Sequence, residues 1–185
     1  MPERTAISIG GIVIGLIPDK ATGVYTFQKR TQDFLSKKEA EINLRVHCGW
    51  FPDFNPDTIA FDTQVAWQLL QINEKTGILA QNPTMKILGV FPPDFLSGDI
   101  YVSRLTREPE TYIFPFNHPL GEIFMMNLLG TTGAGMLLHA TAVINEGNGY
   151  IFTGHGGAGK TTTARLWKNF SNPQKDSDND LWGAL

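Results

Sequence analysis

The residues best suited to chemistry are eight consecutive ones, 154–161, with the sequence Gly-His-Gly-Gly-Ala-Gly-Lys-Thr. They fit the spacing G-x-x-x-x-G-K-S/T, in which glycines allow successive backbone N–H groups to turn towards one anion. In such a loop Lys160 brings a positive charge to the β- and γ-phosphates of a nucleotide, and the Thr161 hydroxyl can bind Mg²⁺. The sequence therefore predicts a site for a nucleotide and Mg²⁺. The residues that we expect to contribute to it are Gly154, Gly156, Gly157, Ala158, Gly159, Lys160, Thr161 and Thr162.

Such a loop needs a strand before it and a helix after it, and the sequence predicts both. Residues 150–153 carry no charge and predict a short strand, whereas residues 161–170 predict a helix. Because the helix begins at the loop, the partial positive charge of its N-terminus would face the same phosphates. Asn and Gly at 145–149 are typical of a tight turn, so we expect the strand to pair antiparallel with a buried strand over 136–144.

Residues 1–114 predict a β-rich module. The β-branched side chains at 7–17 favour a strand bent by glycines, and alternating apolar and polar residues at 40–48 predict a half-buried strand. Apolar residues recur at helical spacing over 119–130, between a proline and a glycine that favour a helix start and stop. We therefore expect an α+β chain overall, with a β-rich N-terminal module followed at residues 115–185 by the start of an α/β domain.

The composition excludes several classes of protein. Lys and Arg number 15 against 18 Asp and Glu, and a net charge of −3 argues against binding to a nucleic-acid backbone, which needs clustered positive charge. The single cysteine, Cys48, excludes an internal disulfide framework. The sequence has no uninterrupted apolar run of the roughly 18–20 residues that a membrane-spanning helix needs. We therefore expect a cytoplasmic protein that binds neither nucleic acid nor membrane.

Residues 115–169 resemble the HPr serine kinase/phosphorylase family, and especially its HPr-kinase-related members with a β-rich N-terminal region. The likeness lies in Pro-Leu-Gly-Glu at 119–122, in Leu-Leu-His-Ala-Thr-Ala-Val at 137–143, and in the loop itself. In that family a histidine opens the strand before the hairpin, fifteen residues ahead of the loop, as His139 does ahead of Gly154. The resemblance implies a P-loop core related to phosphoenolpyruvate carboxykinases, ATP and Mg²⁺ as cofactors, and phosphoryl transfer to a protein serine.

The resemblance also implies roles for residues outside the loop. His139 would lie near the transferred phosphoryl group, although a histidine hydrogen-bonded within the core of the sheet fits its residue type as well. In the family a pair of aspartates follows the loop lysine, and Asp176 and Asp178 occur 16 and 18 residues after Lys160. Asp178 is therefore a second candidate catalytic residue, and a solvated acidic loop is the alternative. His155, at a variable position of the motif, is expected to be exposed to solvent.

The chain ends 24 residues after Thr161, and a doubly wound sheet needs several more strands and helices than that length provides. We therefore expect a fragment of a longer kinase, whose partner would be a protein substrate, HPr-like or other, and which could form homo-oligomers. Two alternatives stay open. One is a different P-loop ATPase that hydrolyses ATP, and the other is a truncated, non-catalytic binding module that acts through residues 1–114.

Overall fold

The computed structural model describes residues 4–19, 24–26, 29–81, 85–104, 111–113, 115–116 and 118–170. The chain is α+β, as predicted, and divides into two compact units, Met1–Met136 and Leu137–Leu185. No helix within the described ranges has the length and the apolar character required to cross a bilayer.

The first unit is built mainly of β-strands. Its elements, in chain order, are β1 (Thr5–Ile9), β2 (Ile12–Pro18), β3 (Val24–Thr26), α1 (Lys29–Gln32), β4 (Leu35–Ser36), β5 (Ile42–Cys48), β6 (Thr58–Asp62), β7 (Trp67–Ile72), β8 (Lys75–Gln81), β9 (Met85–Phe91), β10 (Ser97–Arg104), β11 (Thr111–Ile113) and α2 (Leu120–Thr132).

Nine of these strands form one mixed sheet in the order β4-β1-β2-β5-β10-β9-β8-β7-β6. Only β5 pairs in parallel, with β2 on one side and β10 on the other, and the remaining neighbours are antiparallel. Strands β3 and β11 form a separate parallel pair. The stretch predicted as one strand bent by glycines is the β1–β2 hairpin, because Gly10 and Gly11 take φ angles of +58° and +90° at its turn.

The main core lies between one face of this sheet and α2. Phe124 of α2 is fully buried, and its ring centroid lies 4.9 Å from that of Phe91 and 5.2 Å from that of Phe116. Along β5 the buried residues alternate with exposed ones, which confirms the half-buried strand predicted from the sequence. The opposite face of the sheet carries a smaller cluster, against which Phe51 and Phe54 pack.

The boundary between the two units lies further along the chain than the sequence predicts, because α2 belongs to the first unit. The sequence placed the boundary after residue 114, where strands give way to a helix, but the structure divides the chain after Met136. The physical reason is burial, because Leu120, Phe124 and Leu128 of α2 belong to the core of the first unit. The predicted change from strands to a helix near residue 114 therefore does not mark the start of a second hydrophobic core.

The second unit contains β12 (Ala140–Asn145), β13 (Asn148–Thr153) and α3 (Lys160–Phe170). The predicted antiparallel hairpin is confirmed, with Glu146 and Gly147 at positive φ in its turn. Trp167 of α3 packs against β13, its ring centroid 5.0 Å from that of Tyr150. The prediction of a buried strand over 136–144 is wrong, because β12 begins at Ala140 and residues 136–139 are exposed.

Candidate functional site

The loop that joins β13 to α3 depends on glycine at three of its positions. Gly154, Gly157 and Gly159 have φ angles of +150°, +81° and +82°. Residues with a side chain rarely adopt this backbone conformation, whereas glycine does so readily. A Cβ on Gly154 would also lie 3.3 Å from the Cβ of Ala158. Gly156 has no positive φ and open space where a Cβ would be, so its backbone does not require glycine.

Lys160 is the first residue of α3, and its side chain reaches back across the loop. Its Nζ donates hydrogen bonds to the carbonyl oxygens of Gly154, at 2.8 Å, and His155, at 3.0 Å. An ammonium group has three N–H donors, so these two bonds leave one for another acceptor. The positive charge is thereby held over the loop by the loop's own backbone.

The first turn of α3 provides further donors beside Lys160. The backbone N–H of Thr163 donates to the carbonyl of Gly159 at 2.8 Å, which starts the helical hydrogen-bond pattern. The N–H groups that precede it at Thr161 and Thr162 belong to the first turn of the helix, where donors have no partner within the helix. This turn contains no acidic residue, so its partial positive charge is not offset locally.

A pocket of about 470 Å³ brings this loop together with His139. That volume lies within the usual range for small-molecule sites, about 300–1,000 Å³. His139 is exposed and precedes β12, so the structure places it at the wall of the pocket rather than in the core of the sheet. The pocket is lined by His139, Ala140, Thr141, Gly156, Gly157, Ala158, Gly159, Lys160, Thr161 and Thr162.

Seven of the eight residues predicted to bind a nucleotide therefore line one pocket, and Gly154 contributes its carbonyl to Lys160. His155 is exposed, as predicted, and its Nδ1 lies 2.7 Å from the carbonyl oxygen of Gly156. Asp178, the second candidate catalytic residue, lies outside the described residues.

Thr161 is the described residue best suited to contact a metal ion in this pocket. Mg²⁺ binds hydroxyl, carboxylate and phosphate oxygens and keeps several waters, so one hydroxyl beside a phosphate site fits its chemistry. Over the part of the chain that the structure describes, no group of three or more His, Cys, Asp or Glu residues could hold a metal ion. Among the described residues, Thr161 is therefore the expected contact for a metal ion that the phosphates of a nucleotide hold in the pocket.

The loop and its pocket are also what distinguish this chain from a β-rich protein with no recognisable site. We compared the chain with protein-family models, with curated proteins and with solved structures, and none of the three comparisons found a match.

Proposed function

We propose that the chain binds Mg²⁺-ATP at residues 154–162 and is the nucleotide-binding part of a protein-serine kinase related to HPr kinases. The observation that carries the proposal is the convergence of Lys160, the first turn of α3 and the glycine-dependent loop on one pocket. The P-loop core and the protein substrate, HPr-like or other, come from the sequence resemblance. A cytoplasmic location and a homo-oligomer belong to the same proposal.

The phosphates of ATP would bind where backbone donors and positive charge coincide. Lys160 would donate its remaining N–H to a phosphate oxygen, which is a strong acceptor because it is charged. The N-terminus of α3 favours the same negative charge. When bound, Mg²⁺ neutralises charge on the β- and γ-phosphates, and the Thr161 hydroxyl is the described group that would hold it.

In the proposed reaction a serine hydroxyl oxygen of the substrate protein forms a bond to the γ-phosphorus of ATP. The bond from that phosphorus to the bridging oxygen breaks, ADP leaves, and the hydroxyl proton passes to a base. His139 is suited to that role, because it shares the pocket with the loop and an unprotonated imidazole nitrogen can accept a proton. Asp178 is the second candidate, through the family resemblance alone.

Calorimetric titration with Mg²⁺-ATP tests the binding step. We expect the unmodified chain to bind and Lys160→Ala to lose measurable binding, because the charge that faces the phosphates is removed. Arg165→Ala is the matched control, since Arg165 is an exposed cation on the same helix and does not line the pocket. Failure of the unmodified chain to bind, or equal binding by Lys160→Ala, would overturn the proposal.

A second assay separates the kinase from its alternatives. The chain, or the longer protein that contains it, is incubated with γ-labelled ATP and an HPr-like protein. Label on a serine of that protein supports the kinase, whereas label released as free phosphate would identify an ATP-hydrolysing enzyme. Binding of ATP by the chain without either product would contradict a kinase that is complete in these residues and would favour the non-catalytic module.

A further inference from the structure

A second group of charged side chains lies in the first unit, centred on His47 of β5. Its Nδ1 lies 3.0 Å from a carboxylate oxygen of Asp19, and its Nε2 lies 2.8 Å from one of Asp99. The three side chains are mostly shielded from solvent, with exposed fractions of 18% for His47, 32% for Asp19 and 21% for Asp99. One imidazole ring therefore contacts a carboxylate through each of its nitrogens.

The three residues come together because β5 is the strand with parallel neighbours on both sides. Asp19 directly follows β2, which pairs with β5 up to Pro18 and Val46. Asp99 lies on β10, two residues before Tyr101, the register partner of His47. The bridge from Asp19 through His47 to Asp99 thus joins three adjacent strands across their side chains.

The protonation state of the ring decides whether both contacts can be hydrogen bonds. An ionised carboxylate only accepts, and a neutral imidazole has one N–H, so it can donate to only one of the two aspartates. With both nitrogens protonated, the ring donates to both. Removing one proton leaves a nitrogen lone pair facing a carboxylate, which is a repulsive contact.

The surroundings of the ring fix its position. The ring of Tyr101 stacks on His47 with centroids 4.7 Å apart, and Trp50 contacts Tyr101 edge-on at 5.3 Å. Arg45 pairs with Asp99 through its Nε, at 3.0 Å, and so adds a positive charge beside that carboxylate. Burial, and then the nearby Asp99 carboxylate, raise the pKa of Tyr101, so its phenol stays neutral through the range in which an imidazole titrates.

We propose that His47 is a proton-dependent clasp. With both ring nitrogens protonated it hydrogen-bonds to Asp19, which follows β2, and to Asp99 of β10, and it loses one of these two hydrogen bonds when a proton is removed. Both hydrogen bonds exist only in the folded chain, so the clasp makes folding favour the protonated ring. By linkage, its contribution to stability is present while both ring nitrogens are protonated and is lost when a higher pH removes one of these protons.

The test compares urea unfolding of the unmodified chain and of Asp19→Asn at pH 5.5 and pH 8.5. An asparagine amide can accept from a protonated ring nitrogen or donate to an unprotonated one, so this variant keeps both hydrogen bonds in either state. We expect the unfolding equilibrium constant of the first unit to rise about tenfold between these pH values in the unmodified chain. In Asp19→Asn most of that rise should disappear.

A matched control is His118→Gln, because His118 contacts a single carboxylate, Glu122, and a neutral ring can satisfy that contact. This variant should keep the pH dependence of the unmodified chain. The same dependence in Asp19→Asn would overturn the proposal.

Nuclear magnetic resonance of the unmodified chain provides a readout that needs no variant. At pH 5.5 both ring N–H protons of His47 should exchange slowly with water, since each is hydrogen-bonded, and at pH 8.5 only one should remain. Rapid exchange of both at pH 5.5 would also overturn the proposal.

Discussion

Replacing Gly157 by alanine isolates the contribution of the loop backbone to nucleotide binding. Gly157 has a φ of +81°, and no atom lies within 4 Å of the place where a Cβ would be. The substitution therefore adds no clash, and its cost arises only from a backbone conformation that alanine disfavours. For an L-residue in the left-handed region that cost is about 1–2 kcal/mol.

This cost becomes a loss of affinity because the alanine loop relaxes in the free chain and must return to the described conformation to bind the nucleotide. A free-energy cost of about 1–2 kcal/mol for that return lowers the association constant about five- to thirtyfold. Calorimetric titration with Mg²⁺-ATP measures the change, and thermal unfolding shows whether the second unit remains folded.

Gly156→Ala is the control within the same loop. Gly156 also has open space at its Cβ position, but it has no positive φ, so alanine should fit without strain and bind almost as the unmodified chain does. Equal losses for the two variants would show that the added methyl group, not the backbone, matters. Unchanged binding by Gly157→Ala would show that the nucleotide does not use this loop conformation.

Two further predictions concern the metal and the core. Thr161→Ala should weaken binding of Mg²⁺-ATP and leave binding of ATP without metal almost unchanged. Thr161→Ser, which keeps a hydroxyl, should bind Mg²⁺-ATP as the unmodified chain does. Equal weakening of Thr161→Ala with and without Mg²⁺ would contradict a role in holding the ion. Phe124→Ala should lower the free energy of unfolding of the first unit by about 3–5 kcal/mol in urea titration, because it empties a fully buried ring site. Met126→Ala on the same helix is the control, since Met126 is 57% exposed and should cost less than about 0.5 kcal/mol.

Features that depend on nearby residues could be predicted from the sequence. The β12–β13 hairpin follows from turn residues whose positive φ is a local property, as at Gly147. The glycines at residues 154–159 predict a loop between strand and helix for the same reason, because positive φ at Gly154, Gly157 and Gly159 is also a local property. The burial pattern of β5 followed from its alternating residues, which record the two faces of a sheet.

Features that depend on distant partners were missed. In the sheet, β5 lies between β2 and β10. The pattern of apolar and polar residues within a strand predicts its two faces but not which strands pair with it. Asp19, His47 and Asp99 are therefore separate polar residues in the sequence and a single cluster in the structure. The boundary after residue 114 was misplaced for a related reason, since the sequence shows that α2 is apolar but not which sheet buries it.

The parallel pairing of β5 also has a consequence for the order in which the sheet can form. On one side of β5 lies the β1–β2 hairpin, and on the other side the strands β6 to β10 follow one another as antiparallel neighbours, so both parts can form from local contacts. Strand β5 closes the sheet between them, and its pairing of Asn43 with Ser97 spans a long loop of chain. Closing such loops costs entropy before the contacts compensate for it. Strand β5 is thus the place where the two parts of the finished sheet, three strands on one side and five on the other, can join.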